Sequence, residues 1–80
     1  MTKEVVDYVL SLLGEGEAPV FKLHPRKGRD VRLMRIDSSD RHNFYGVLID
    51  TPQNQSVILP HISVIHGTIW IEEVKEEATV

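Results

Sequence analysis

The chain contains no cysteine. Disulfide staples and thiolate zinc sites are therefore excluded as ways of holding so short a sequence together, and the reading leans to a cytoplasmic setting. Long hydrophobic runs are missing too. The first apolar stretch, VVDYVLSLL, is broken by Asp7, preceded by Lys3 and Glu4, and much too short to cross a bilayer. The expectation is a soluble protein with no secretory signal and no membrane partner. Internal repeats and low-complexity tracts are absent as well, and 80 residues form one domain, 1–80. At that size folding buries only about 60–65% of the surface that the unfolded chain exposes, so assembly with further copies would add stability.

Positive charge is outnumbered: nine Lys and Arg face twelve Asp and Glu, a formal charge of −3. A net acid ordinarily counts against a phosphate-bearing partner. The distribution is uneven, however. Seven of the nine basic residues, Lys22, Arg26, Lys27, Arg29, Arg32, Arg35 and Arg41, lie in the middle of the chain. The acid collects at the ends, in Glu4, Asp7, Glu15 and Glu17 and again in Glu72, Glu73, Glu76 and Glu77. Solvated faces of a small protein explain these blocks, and so does a basic binding stripe.

Thr2 can cap a helix over 2–13, in which Val5, Val6, Val9, Leu12 and Leu13 recur at three- and four-residue steps and which Gly14 and Gly16 end. Downstream, β-branched and aromatic residues alternate with polar ones between closely spaced turns. The strands are expected at 20–24, 30–37, 44–49, 56–66 and 68–74. In the second, Val31 and Leu33 share one face while Met34 and Ile36 occupy the other, which suggests a bulge or strong bend. The fourth is broken near Pro60. An acidic tail follows over 75–80. The fold class is thus mainly β: an N-terminal α-helix followed by a small, strongly bent five-stranded antiparallel barrel, with strands spanning about 20–74.

Catalytic and metal chemistry find little support. His61 and His66 are five residues apart and would fall on opposite faces of a strand, so the four histidines read as turn or surface residues rather than ligands. Ser63, His61 and Asp50 make a triad on paper, yet nothing resembles a nucleophile elbow. PRKG lacks the spacing of a phosphate-cradling loop. The chain therefore reads as a non-enzymatic binding protein without a cofactor. The run HPRKGRDVRLMR offers Arg26, Lys27, Arg29 and Arg32 to phosphates, and His24, Phe44 or Tyr45 to stacked bases, a combination suited to single strands.

The order of a helix, KGRDVRLMRID, a polar turn, FYGVLIDTPQNQSVIL and VIHGTIWIEEV resembles that of the Sm-like proteins, a family of RNA-binding rings. Gly46, Asp50 and Asn54, followed by Val57 and Leu59, are similar to its first motif. Ile65, His66 and Gly67 resemble its second. The Gly46-to-Asp50 spacing is two residues shorter than usual, Pro52 sits in the turn, and His66 stands where Arg or Lys is common. The resemblance implies a homo-oligomeric ring of five to seven copies joined by strand pairing. It also implies single-stranded RNA, or DNA, as partner, with bases met by Asp50, Asn54, His66 and Tyr45 and phosphates by Arg26, Lys27, Arg29 and Arg32. A second stretch, ILPHISVIHGTIWIEE, is similar to the ending of a small archaeal family that implies recognition of RNA ends by a monomer or dimer, although Ser63 replaces the Arg of that segment. A structural or protein-interaction module without nucleic acid, joined to a partner through its edge strands and Trp70, is the remaining alternative.

Overall fold

A computed structural model describes residues 3–28 and 30–75. Helix α1 (Lys3–Gly14) buries Val6 and Val9, with Val5 and Leu13 packed at the margin. That stripe is what the three- and four-residue spacing dictates. The helix stops where Gly16 takes a left-handed backbone, φ 84°. The Gly16 N–H then donates to the Leu13 carbonyl at 3.0 Å and the Glu17 N–H to the Leu12 carbonyl at 3.1 Å, the paired closing bonds of a glycine cap. The expected Thr2 cap, Arg29 and residues 76–80 of the acidic tail lie outside the described residues. No described helix is long and apolar enough to cross a membrane.

Strands β1 (Val20–Pro25), β2 (Arg32–Ser39), β3 (Asn43–Leu48), β4 (Ser56–Pro60) and β5 (Ile69–Val74) form one antiparallel sheet in the order β4-β3-β2-β1-β5. Phe21, Met34, Ile36, Phe44, Leu48, Leu59 and Ile71 point to one face, where Val6, Val9 and Val64 of the two helices complete the core. The other face carries Lys22, His24, Arg35, Tyr45, Ile58 and Trp70.

Two expectations are corrected. The sheet does not close into a barrel, because β4 and β5 occupy opposite edges rather than pairing with one another. Nor is 56–66 a single strand: β4 ends at Pro60, and α2 (His61–Ile65) follows. Pro60 has no N–H with which to continue a ladder and leaves the sheet at φ −65°. The His61 N–H turns instead to the His42 carbonyl at 2.8 Å. Helix α2 then returns the chain beneath the sheet to the far edge, where Ile69 faces Pro25. An apolar run as short as HISVI reads alike for helix and strand.

The bend expected in the second strand is present as a register shift between Ile36 and Ser38 against β3. Gly46 lies opposite Ile36 at this point. A Cβ at Gly46 would collide with the Arg35 carbonyl oxygen and come within 2.9 Å of the Arg35 carbonyl carbon and 3.0 Å of Ile36 Cα. The obstacle is backbone, which cannot swing aside as a side chain does. Gly46→Ala is therefore expected to cost about 3 kcal/mol, the upper part of the usual range for overpacking. Urea unfolding followed by circular dichroism measures it, and an unchanged midpoint would contradict the close approach.

Candidate nucleic-acid interface

Strands β1 and β3 run towards one end of the sheet, and β2 and β4 run back from it. The connections 26–31 and 49–55 therefore leave the same end. Helix α2 delivers 66–68 to that end as well, because β5 begins there against Pro25. Three hydrogen bonds brace this end, one joining 26–31 to 66–68 and two joining the 49–55 turn to the start of β2. The Arg26 N–H donates to the Thr68 carbonyl at 3.0 Å. Asp50 Oδ2 accepts from the Leu33 N–H at 3.1 Å and from Arg32 Nε at 3.3 Å.

Most of the expected contact residues meet at this end. Arg26 and Lys27 are exposed, and neither enters an ion pair among the described residues. Arg32 is half-engaged by Asp50, so its guanidinium offers fewer free donors than the sequence suggests. Asp50 itself acts as a brace that holds the 49–55 turn against β2. Asn54 is exposed with φ 47°, the left-handed region, and its N–H donates to the Thr51 carbonyl at 3.3 Å. Asparagine tolerates that backbone better than most residues, so turn geometry alone accounts for its presence. His66 caps the C-terminal end of α2 through its backbone and leaves its ring exposed.

Tyr45 stands apart from this group. It lies on the opposite face of the sheet from the core, near the 40–42 turn at the other end. Its hydroxyl donates to Asp40 Oδ2 at 2.6 Å, while the His42 and Asn43 N–H groups donate to Asp40 Oδ1 at 2.9 and 2.8 Å. Phe44, considered for stacking, is wholly buried. A different aromatic pair is exposed. Register places His24 of β1 opposite Trp70 of β5. Their ring centroids are 4.4 Å apart at 45°, and Trp70 is 57% exposed. His24 Nε2 meets Glu72 Oε1 at 3.2 Å. Each residue is visible in the sequence, yet their pairing follows only from the crossing of β5 to the far edge.

His61 pairs with neither Ser63 nor Asp50. Its Nε2 lies 2.9 Å from Ser39 Oγ, which also donates towards the Asp40 and Asn43 carbonyls at 2.9 Å. Two carbonyls and the His61 ring nitrogen gathered around the one Ser39 hydroxyl tie the 40–43 turn to the start of α2. The His61 ring packs on Phe44 at 4.3 Å. Among the described residues no cluster of three or more His, Cys, Asp or Glu side chains could hold a metal ion. An open cleft of about 560 Å³ between α1, α2 and the 40–43 turn is lined mainly by apolar groups. No protein-family model, curated protein or solved structure matches this chain.

The Asp40 network has a pH signature. The Tyr45 hydroxyl, followed by the two backbone N–H groups, lowers the Asp40 carboxyl from 3.8 to about 2. Asp40 in turn raises the Tyr45 phenol above 10.0. A depressed carboxylate stabilises the fold above its ordinary value, and that contribution disappears as pH falls through the lowered one. Tyr45→Phe is expected to move the Asp40 titration back up towards 3.8 and to flatten the loss of stability between about pH 4 and 2. Carbon-detected NMR titration of Asp40 measures it, and an unmoved midpoint would show that the phenol is not the main cause.

Proposed function

We propose that this chain is a non-enzymatic RNA-binding protein of the Sm-like class, acting in the cytoplasm as a homo-oligomeric ring. The observation that carries the reading is the convergence of 26–31, 49–55 and 66–68 at one end of the sheet. It brings the free charges of Arg26 and Lys27 to the same surface as the exposed side chains of Asn54 and His66. Arg26 and Lys27 hold phosphates of a single strand there, with part of Arg32 alongside. Asn54 and His66 meet bases, while Asp50 keeps their turn in place. Attraction between cationic side chains and the phosphate chain supplies most of the affinity, so binding weakens steeply with salt. Tyr45 has no part in this surface.

The open sheet gives the ring its joints. Strands β4 and β5 each present an unpaired edge, and within the chain they do not pair with one another. Pairing β4 of one copy with β5 of the next satisfies both edges and repeats head to tail, the kind of contact that closes into a ring when the rotation permits. Pro60 restricts that ladder to the earlier residues of β4. Five to seven copies complete the circle.

Native mass spectrometry is expected to find an assembly of five to seven times the 9.1 kDa chain. A purely monomeric protein at micromolar concentration would overturn the ring. In gel shifts with short oligo(U) and oligo(A), replacing both Arg26 and Lys27 by Glu is expected to weaken binding of either sequence by about tenfold or more. The slope of log affinity against log salt should fall by about 1 to 2. Affinity that survives this change unaltered would exclude the turn as the phosphate site. No binding at about 50 mM salt, together with stoichiometric co-purification of one other protein, would decide for a protein-interaction module instead.

A further inference from the structure

We propose that Trp70 and His24 form a base-stacking platform that extends the RNA site from the end of the sheet onto its outer face; the inference rests on the RNA-binding reading above. Four features carry it.

The first is position. His24, in the last part of β1, stands two residues before Arg26, the first residue of the turn, about 7 Å along the backbone. Trp70 follows Thr68 and Ile69, which together with Pro25, Arg26 and Lys27 enclose a shallow cavity of about 460 Å³. That cavity includes neither ring. What joins the turn to them is the Arg26 N–H bond to the Thr68 carbonyl at 3.0 Å, which carries the β1–β5 pairing one step past Pro25 and Ile69 and sets Arg26 next to the His24–Trp70 pair. The second is exposure. Ile69 and Ile71 turn towards the core, so Trp70 faces outward by strand alternation and is 57% exposed. A large aromatic surface held open in this way contributes little to packing and offers a π-face that any base can use.

The third is order. Glu72 Oε1 lies 3.2 Å from His24 Nε2, so that nitrogen carries the proton and the ring plane is fixed. The imidazole then supports the indole at 4.4 Å between centroids, and two rings present one stepped surface. The carboxylate is a repulsive charge beside a phosphate chain, but Glu72 is directed at His24 and sits opposite Lys22 in the ladder. The fourth is compatibility with assembly. Side chains of a strand stand perpendicular to the hydrogen-bonding direction, so β5 can pair with a neighbouring copy while Trp70 remains open on the face.

Trp70 is the sole tryptophan, so its emission reports directly on the platform. The test titrates the full chain with an eight-nucleotide oligo(U), an eight-nucleotide oligo(A) and an abasic ribose-phosphate oligomer of the same length. Both base-bearing oligomers are expected to quench the emission in a saturable manner, and the abasic oligomer is not. Trp70→Ala is expected to weaken binding of the base-bearing oligomers by about tenfold while leaving the salt slope unchanged, and Trp70→Phe to recover most of the loss. The quenching experiment needs no variant and so does not depend on whether Trp70→Ala folds. If charge reversal at Arg26 and Lys27 abolishes binding while bound oligomers leave the Trp70 emission unaltered, the platform is overturned and the RNA-binding reading stands. If the unaltered protein binds none of the oligomers, both fall together.

Discussion

The approach of Gly46 to the Arg35 carbonyl is the constraint on which the rest of this sheet depends. The backbones of β2 and β3 come so close there that no Cβ fits, and the bulge between Ile36 and Ser38 begins at the same place. A bulge alters twist and redirects the side chains that follow it. Before it, Met34 and Ile36 face the core. After it, Ser39 faces inward beside Phe44 and reaches His61, which fixes the start of α2. A single hydrogen atom in place of a methyl group thus allows β2 to serve two neighbouring packing problems in one strand.

The position of α2 decides what the two ends of the sheet contain. It takes the chain from the edge strand β4 to the opposite edge, so β5 pairs with β1 and its first residues arrive beside the basic turn. The result is a division of labour along the strands. One end holds the Asp40 network, in which three donors converge on one carboxylate and the turn is tightly bonded to itself. The other end holds turns whose backbones are braced by Asp50 and Thr68, with several cationic and polar side chains left free. A braced backbone has less left to order when a ligand arrives, whereas each free side chain must still be ordered at a cost.

The same geometry resolves the uneven charge of the sequence. The two described acids of the C-terminal block are used locally: Glu72 meets His24 on β1, and Glu73 accepts from the Tyr8 hydroxyl on α1 and lies near Lys75. Among the described residues no ion pair joins the basic middle segment to those acids. Arg32 takes its partner from within the middle of the chain, in Asp50, while Arg26 and Lys27 have no ion-pair partner among the described residues. An acidic protein therefore keeps a basic end, and the net charge of −3 says little about that surface.

Local chemistry made much of this fold legible. Spacing of Val5, Val6, Val9, Leu12 and Leu13 specified α1, Gly16 its end, and alternation the strands, because side-chain periods of 3.6 and 2 are set by backbone geometry whatever surrounds them. Val31 and Leu33 on one face with Met34 and Ile36 on the other is ordinary alternation, so that pattern did not mark the bulge, which lies between Ile36 and Ser38. The composition of the 26–31 turn did announce its charge. Pairing was another matter. HISVI carries no period long enough to separate helix from strand, so the passage of α2, the opposite placement of β4 and β5 and the open sheet rather than a barrel arose only when distant segments packed. Contacts that join residues remote in sequence, Trp70 with His24 and Ser39 with His61, depend on that packing. The residues of the candidate site were present in the sequence by type; tertiary structure alone decided which of them share a surface, since strand order and register are properties of the assembled core and not of any segment within it.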